Sequence, residues 1–427
     1  MHLNRYLLLL LALSQPQCNE ERSAADARAG DSHGVADGPG PARDGSGDAP
    51  ADGPAIVDAD PSLSTFERTL VDLPADSWFE APGTKMKDVC APASFGVNGV
   101  QGCKAIIGAW GGGAWDPVHR KMLIWGGGHN DYWGNEVYAF DLTTGKWERL
   151  TDPSPGPFNK DPLDDGNPVS RHTYDGLTYI VHADRFFGQA GSRATDGGGT
   201  SLTWTFDVGA LTWTNRAPDP AGPGGYTLAA SYDPSSRLVL ARSPKDLRSY
   251  DYDTNTWSML KGFGFAPLWP RYEVYGNKTS TVDSSRGLFW SVGSGDILIW
   301  DIAGQKLVTD DWKTTGGGSY SNANRVGNHK DQLFESGGGE IYDASAPGLA
   351  YDSKADQVVA WKGGGPWVLD LASKTWSQGS ATGAPAAQPK NGTYGRFAYL
   401  ARYNVFILVN SVDADVVFYK NSSGGPP

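Results

Sequence analysis

Phe140-Asp141-Leu142-Thr143-Thr144-Gly145-Lys146-Trp147 is the stretch that decides the fold, because the sequence repeats it. It reads as a β-strand, a tight turn and a second strand that opens on a large apolar residue. The other copies are Phe206-Asp207-Val208 with Trp213, Tyr250-Asp251-Tyr252 with Trp257, Leu369-Asp370-Leu371 with Trp376, and a weaker Trp300-Asp301-Ile302 with Leu307. A unit of this length cannot bury its own faces alone, so its repetition predicts stacked or radial assembly.

A second phrase precedes the first in most units and reads as another hairpin. In it, a polar turn with Asp, Pro or Ser separates two β-rich runs, as when Trp115-Asp116-Pro117 leads into Lys121 to Trp125. The two phrases together give four strands per unit. We count six units, beginning near residues 105, 170, 226, 276, 344 and 393, although the uneven spacing would also fit seven.

These units predict an all-β β-propeller over residues 63–427. The sixth unit has no clear outer strand of its own, and Asp76-Ser77-Trp78-Phe79-Glu80 looks like the missing one. Closing the ring with an N-terminal strand would also remove the exposed edge of an open sheet. We therefore expect both ends of the globular part to meet in one blade.

The blades resemble the kelch family. Gly126-Gly127-Gly128, Tyr138 and Trp147 match the family's diglycine, tyrosine and tryptophan in order, and Gly363-Gly364-Gly365 with Trp376 repeats part of that pattern. The other blades lack the diglycine. The resemblance implies a fold, and a fold alone does not imply an activity.

Galactose oxidase is the best-known enzyme with kelch-like blades. Its family holds copper with two tyrosines and two histidines, and one of the tyrosines is cross-linked to a cysteine. This chain has no cysteine after Cys103, which we assign to a disulfide. The sequence therefore argues against copper-radical oxidation.

The first 18 residues predict export. Arg5 precedes an apolar run from Tyr6 to Leu13 that has the length of a signal peptide and is too short to span a bilayer. Cys18 stands where a bacterial lipoprotein carries its lipidated cysteine, although Gln15 and Gln17 depart from that signal. The alternatives are an outer-membrane or periplasmic lipoprotein, with membrane attachment only through lipid, and a secreted protein.

Residues 19–62 predict a disordered tether, because Ala, Asp, Gly and Pro cannot bury enough surface to offset chain entropy. This segment holds ten acidic residues and three arginines, so it carries −7 of the formal net charge of −12. The globular part is then only mildly acidic. That charge argues against nucleic acid as a partner, since phosphate binding needs a basic surface.

Cys90 and Cys103 lie close together just before the repeats. In an exported protein such a pair most simply forms a disulfide, while a metal site needs more ligands than this pair supplies. Free thiols are the alternative. We expect no cofactor, name no metal ligand, leave open a divalent metal, and expect a monomer.

Two polar, aromatic clusters are the candidate functional sites. The first runs from His129 to Asn135, and the second opens the next blade with Arg171, His172 and Tyr174. Because inner strands and their loops line a propeller's channel, the two clusters are expected to share one mouth. The ligand-binding candidates are Asn130, Trp133, Asn135, Arg271, Tyr272, Arg325 and His329, the last two in a long insertion at about 310–345.

Three function classes fit these residues. Aromatic faces beside planar polar groups suit sugar rings, so a carbohydrate-binding protein comes first, with an acidic polysaccharide as one ligand class. The second class is a polysaccharide lyase, and the third is a protein-interaction scaffold. In a lyase Arg171 or Asn130 would neutralise a uronate, His129 or His172 would act as base, and Tyr132 or Tyr174 as acid.

Each cluster also has a purely structural interpretation. His129 and Asn135 would then hydrogen-bond a Gly-rich turn, and Tyr132 and Trp133 would pack between blades. The pair Arg171 and His172 would bind an acidic residue of the neighbouring blade, while His329 would be a solvated loop histidine. The aspartates of the repeat, such as Asp251, are predicted to be turn residues and not metal ligands.

Overall fold

The computed structural model describes residues 62–220, 228–262, 277–294, 296–308 and 339–422. The predicted signal and lipidation site at Cys18 lie outside the described residues. So does the predicted tether, apart from its last residue, Ser62. In the part of the chain that is described, no helix is long and apolar enough to cross a membrane.

The described chain forms six four-stranded antiparallel sheets, each of them one blade. The first three blades are β2 (Gly112–Asp116), β3 (Lys121–Trp125), β4 (Tyr138–Asp141) and β5 (Lys146–Arg149); β7 (Leu177–Ile180), β8 (Arg185–Gln189), β10 (Thr203–Asp207) and β11 (Thr212–Arg216); and β12 (Ala229–Asp233), β13 (Leu238–Arg242), β14 (Asp246–Asp251) and β15 (Thr256–Gly262).

The other three blades follow the same order from inner to outer strand. They are β16 (Thr279–Asp283), β17 (Leu288–Gly293), β18 (Asp296–Asp301) and β19 (Lys306–Leu307); β20 (Gly348–Asp352), β21 (Gln357–Trp361), β22 (Trp367–Asp370) and β23 (Thr375–Gln378); and β24 (Phe397–Leu400), β25 (Val405–Leu408), β26 (Val416–Lys420) and β1 (Ser77–Ala81).

Among the described residues, few elements lie outside the blades. Strands β6 (Arg171–His172) and β9 (Ser192–Arg193) pair as a short ribbon. The helices described there are α1 (Thr65–Val71), α2 (Ala105–Gly108) and α3 (Gly339–Asp343), and the 3₁₀ turns are Met86–Val89, Ala93–Phe95, Gly102–Lys104, Val181–Ala183 and Tyr394–Arg396. Helix α3 falls within the long insertion at about 310–345.

The six sheets form a closed ring. Each inner strand contacts the inner strand of the next blade, and contacts between β24 and β2 complete the circle. Buried apolar clusters lie between neighbouring blades, as where Trp125 packs with Phe186 and Phe206. The prediction of a β-propeller with six blades is confirmed, and the alternative count of seven is wrong.

The N-terminal strand closes the ring as the sequence predicted. Strand β1 pairs antiparallel with β26 and is the outer strand of the sixth blade. Trp78 stands opposite Tyr419 there, just as Trp147 stands opposite Phe140 in the first blade. Its indole N–H donates to Ser380 O of the fifth blade at 3.1 Å. Trp78 therefore supplies the tryptophan that the sixth unit lacks.

Helix α1 reinforces this closure. Ser64 and Glu67 form a reciprocal capping box at its N-terminus. The Glu67 carboxylate also accepts a hydrogen bond from Tyr403 of the sixth blade at 2.7 Å and pairs with Arg120 of the first blade at 2.8 Å. One buried carboxylate thus links the first and last blades.

The recurring aspartate and tryptophan build the blades, as predicted. Asp141 Oδ1 accepts from the Thr143 backbone N–H at 2.7 Å, which fixes the turn between β4 and β5. Trp147 packs across the blade face, and its indole N–H donates to Thr84 O at 2.8 Å. In the weaker copy Leu307 stands opposite Trp300, so leucine fills the place of tryptophan.

The ring has two distinct ends. We call the end with the hairpins between strands one and two, and between strands three and four, the turn face. The end with the other connections is the loop face. A central cavity of about 340 Å³ extends from Asp175 to the turn face, where Pro117 and Pro234 line it. Inner strands of all six blades contribute to its wall.

Candidate functional site

The two predicted clusters meet on the loop face. Residues 126–137 connect the second and third strands of the first blade, and residues 170–176 lead into the second blade. Gly128 adopts a φ of +53°, and a Cβ there would lie 2.0 Å from the His172 backbone nitrogen. The glycine run therefore lets the two segments pack backbone against backbone.

His172 is the centre of the site. Its Nε2 lies 2.8 Å from Asp131 Oδ2, and its ring packs against the ring of Trp110 at a tilt of 41°, with 4.8 Å between centroids. His172 is only 4% exposed. Burial lowers the pKa of His172, and the neighbouring carboxylate of Asp131 only partly opposes that effect. The imidazole is therefore mainly neutral at pH 7, with one nitrogen held by Asp131.

Two more rings approach His172. His129 and Tyr174 each approach the His172 ring edge-to-face at 6.1 Å. His129 and Asn130 are exposed, whereas Trp110 and Tyr174 are half-buried. The His129 ring lies over Gly197, where a Cβ would come within 2.4 Å of Nε2. We call the set Trp110, His129, Asn130, His172 and Tyr174 the loop-face cluster.

The backbone of the cluster is strained. Trp110, Asn130 and Tyr174 have φ values of 51°, 59° and 49°, in the left-handed region that bulky side chains avoid. Hydrogen bonds hold them there: the Tyr174 N–H donates to Trp110 O, and the Asn130 N–H donates to Ala194 O, both at 2.7 Å. Such conformations persist only where the surroundings impose them, and they concentrate at functional sites.

Behind the cluster, side chains close the propeller axis. The ring of Tyr174 meets that of Tyr394 from the sixth blade edge-to-face at 6.1 Å. Asp175 accepts hydrogen bonds from the Ser280 backbone N–H at 2.7 Å and from its hydroxyl at 2.8 Å, and also from the Gly395 N–H. The cluster is thereby separated from the central cavity.

The disulfide loop supports the cluster from one side. Cys90 and Cys103 are bonded, which confirms that prediction. Between them, the Val100 N–H donates to Asn130 O at 3.0 Å and the Gln101 N–H to Asp131 O at 2.9 Å. The Gln101 side-chain amide donates to the Asp131 carboxylate as well. The loop thus positions the acid that holds His172.

A polar cleft adjoins this support. Its volume is about 320 Å³. Gln101, which binds Asp131, also lines this cleft. Lys104, Gln388 and Asn410 line it further along. The cleft thus runs from the disulfide loop to the sixth blade, where Asn410 follows β25.

Four predicted site residues have structural partners instead. Arg171 is buried, pairs with Asp161 at 2.9 Å and lies over the Trp125 ring at 5.3 Å. The amide of buried Asn135 donates to Ser154 Oγ at 2.8 Å and accepts from the Ser154 N–H at 2.8 Å. These contacts hold the connection between blades one and two.

The remaining two are Tyr132 and Trp133. The Tyr132 hydroxyl donates to buried Glu136, and burial raises the pKa of that tyrosine. Trp133 packs edge-to-face on Phe158 at 5.9 Å. Neither ring belongs to the loop-face cluster.

Sequence reasoning missed three members of this region. Trp110, Asp131 as the partner of His172, and the axial Asp175 were not singled out. Trp110 precedes the first blade by two residues and carries no motif, whereas Asp131 stood within the predicted loop. Arg271, Tyr272, Arg325 and His329 lie outside the described residues.

Comparison with known proteins gives no family for this chain. No family model matches it, and no curated protein matches its sequence. Among solved structures, a protein of unknown function from Bacteroides thetaiotaomicron VPI-5482 aligns with a TM-score of 0.43 and 9% identity, over 80% of this chain and 75% of that one. A chain of a nidogen/laminin complex aligns with a TM-score of 0.38 and 10% identity, over 64% and 80%.

Likenesses this low carry no functional argument. The propeller is established by its own sheets and ring closure, and that fold is consistent with a binding or scaffold role. The kelch resemblance stays a prediction.

Proposed function

We propose that this protein is an exported, kelch-type propeller that binds a carbohydrate at the loop-face cluster. One observation carries the proposal: the half-buried rings of Trp110 and Tyr174 are held beside the exposed polar side chains of His129 and Asn130. Aromatic faces stack on sugar rings, and planar polar groups bind their hydroxyls. The neighbouring polar cleft suits further sugar units.

Export is part of the proposal. The signal-like residues 1–18 suggest it, and the Cys90–Cys103 disulfide supports it, because disulfides persist in oxidising compartments. Cys18 as a lipid anchor, with residues 19–62 as a tether, would hold the propeller at a membrane surface. A secreted form remains the alternative.

Polysaccharide lyase activity is the second candidate. The observation that favours it is the neutral, buried His172 held by Asp131, with Tyr174 next to it, which suits a base and an acid. The weak point of this candidate is the neutralisation of the uronate carboxylate. Arg171 is already paired with Asp161, so the Asn130 amide is the group of the loop-face cluster left for that role.

A glycan panel tests both candidates. The purified full chain is offered neutral and uronic-acid polysaccharides, while retention and the ultraviolet absorbance of unsaturated product are followed. Retention without product supports binding, and product identifies a lyase. If no glycan is retained and no product forms, the carbohydrate proposal fails.

Matched variants locate the site. Asn130→Gly removes an exposed amide at a backbone position that glycine adopts freely, and Gln305→Gly does the same at φ 49° in a turn of blade four. We expect Asn130→Gly combined with His129→Ala to weaken glycan binding about tenfold, the size of one or two lost hydrogen bonds. Gln305→Gly should leave it unchanged. Equal effects of both would place the site elsewhere.

A further inference from the structure

A second cluster lies on the turn face, at the boundary between blades one and two. It consists of two aspartates and one histidine. Asp116 ends β2, His119 follows in the turn, and Asp184 comes from the first hairpin of the second blade. Asp116 Oδ2 lies 2.7 Å from His119 Nδ1, which lies 3.6 Å from Asp184 Oδ1. One ligand atom from each of the three residues lies within 4.8 Å of the others.

The boundary between blades four and five has the same arrangement with a different bridging residue. Asp283, Arg286 and Asp356 occupy the equivalent places, with the same spacing of three residues from Asp283 to Arg286. The Arg286 guanidinium pairs with Asp283 Oδ2 at 3.1 Å and with Asp356 Oδ2 at 2.6 Å. A permanent cation therefore bridges two carboxylates of neighbouring blades.

A tyrosine completes both boundaries. Tyr179 donates to Asp184 Oδ1 at 2.5 Å, and Tyr351 donates to Asp356 Oδ1 at 2.6 Å, in each case five residues along the chain. The two sites thus differ chiefly in the bridging residue, histidine in one and arginine in the other. Arg185, which follows Asp184, pairs with Asp207 instead.

Histidine differs from arginine here in what it can bind. An imidazole nitrogen can accept a metal ion, whereas a guanidinium has only donors and binds the two carboxylates directly. Asp116 is fully buried, and its Oδ1 already accepts the Val118 and His119 backbone N–H groups at 2.9 Å each. Its Oδ2 faces the histidine. A buried carboxylate at a blade boundary needs a positive partner.

The three ligand atoms are close enough together for one metal ion to reach all of them after small side-chain shifts. In tetrahedral zinc with bonds of about 2.1 Å, neighbouring ligand atoms are about 3.4 Å apart, and the distances of 2.7 and 3.6 Å lie on either side of that value. One imidazole and two carboxylates are ligands that zinc accepts. The side chains of His119 and Asp184 are 29% and 44% exposed, which leaves an entry path and a place for water.

We propose that Asp116, His119 and Asp184 bind a divalent transition-metal cation, best fitted by Zn²⁺, which joins blades one and two. Metal binding at Nδ1 replaces the hydrogen bond between His119 and Asp116: the Nδ1 proton leaves to solvent and Nε2 takes one up, so the imidazole stays neutral and no net proton is released. The ion does at this boundary what the Arg286 guanidinium does between blades four and five. The proposal does not depend on the carbohydrate site.

Zinc titration of the chelator-treated full chain tests the proposal. In calorimetry, wild type should bind one more Zn²⁺ per chain than His119→Arg, a change that copies the other boundary and keeps a bridging cation. Histidines elsewhere in the chain contribute equally to both proteins. Zn²⁺ should also raise the melting temperature of wild type and not that of the variant.

Two more variants make the test decisive. Asp184→Asn should lose the same ion even if His119→Arg folds poorly, and Arg286→His should gain one, because it creates the same ligand set between blades four and five. Unchanged stoichiometry in Asp184→Asn, or no gain in a folded Arg286→His, would overturn the proposal. A wild type stabilised by acid and unaffected by zinc would show a proton bridge and overturn it too.

Discussion

At the scale of single residues, Asp175 makes contacts with three other blades. It follows Tyr174 of the loop-face cluster, and its backbone carbonyl accepts the Ala230 N–H of blade three at 2.9 Å. Its carboxyl group binds Ser280 of blade four and Gly395 of blade six. One residue therefore joins blades three, four and six at the axis. Burial raises its pKa well above the usual value of 3.8, more than its hydrogen bonds lower it.

The first prediction concerns the pH dependence of Asp175→Asn. Because the folded-state pKa of Asp175 is raised, the native protein keeps its proton to higher pH than the unfolded chain does. Its contribution to the free energy of unfolding is complete below the unfolded pKa of about 3.9 and is lost as pH rises toward the folded pKa. Asp175→Asn should remove this loss.

The melting temperatures of wild type and Asp175→Asn are measured from pH 3 upward, in steps on the order of one pH unit. We expect the wild-type curve to fall more steeply with rising pH than that of Asp175→Asn. Parallel curves would mean that Asp175 is ionised at the axis. Ser280→Ala is the control for the loss of a hydrogen bond. It removes one donor to Asp175 but keeps the carboxyl group, so its melting temperature should still fall with rising pH.

At the scale of elements, the decisive piece is the loop between Cys90 and Cys103. It contains no strand, yet it holds the segment from Asn130 to Trp133 through backbone hydrogen bonds. The Trp133 N–H donates to Asn98 O at 2.9 Å, in addition to the bonds of Val100 and Gln101. A covalent bridge with a sequence separation of 13 limits the freedom of this loop when the chain unfolds.

The second prediction is that Cys90→Ser combined with Cys103→Ser lowers the free energy of unfolding by about 3 kcal/mol, as a closed loop of this size suggests. Urea denaturation measures the loss. Hydrogen exchange should quicken at the amides of Val100, Gln101 and Trp133, while amides of β17 keep their protection. Uniformly faster exchange would instead indicate that the disulfide acts on the whole ring.

At the scale of the whole molecule, the ring depends on what joins its first and last blades. Strand β1 covers β26, Trp78 packs on Tyr419 at 4.9 Å, and Glu67 links Tyr403 with Arg120. Without these elements β26 would be an exposed edge of unpaired backbone groups. Such an edge can pair with another chain.

The third prediction follows from that closure. Removing residues 1–81 should lower the melting temperature and produce self-association through β26, whereas removing residues 1–61 should do neither. Size-exclusion chromatography with light scattering measures the association. A synthetic peptide of residues 62–81 should restore the monomer by supplying the missing strand. A monomeric, equally stable 82–427 fragment would contradict the role given to β1.

Much of the architecture could be predicted from the sequence. The stretch from Phe140 to Trp147 predicted a hairpin. Its Asp fixes the turn and its Trp packs across the blade, as expected. Even the closure was predictable, because the sixth unit lacked a tryptophan and Trp78 was available upstream. These inferences succeed because turn chemistry and cross-strand pairing are local properties of the chain.

The site could be predicted only in part. His129 and His172 lie edge-to-face, so the two clusters are neighbours, but neither residue lines the central cavity whose mouth they were expected to share. The interpretation of His172 as the partner of a neighbouring acid agrees with Asp131. For Arg171 the structure shows an acidic partner too, but one in the same connecting segment. Residue type alone did not separate exposed Asn130 from buried Asn135.

The sequence by itself determined the repeat, the number of strands per blade, the closing strand and the disulfide. Each depends on neighbours in the chain or on a pattern that recurs along it. Only the tertiary structure decided that Trp110, Asp131 and His172 come together, and that Asp116 and His119 face Asp184. Those contacts join segments of different blades or connections, and their distances are set by ring closure, which no local pattern encodes.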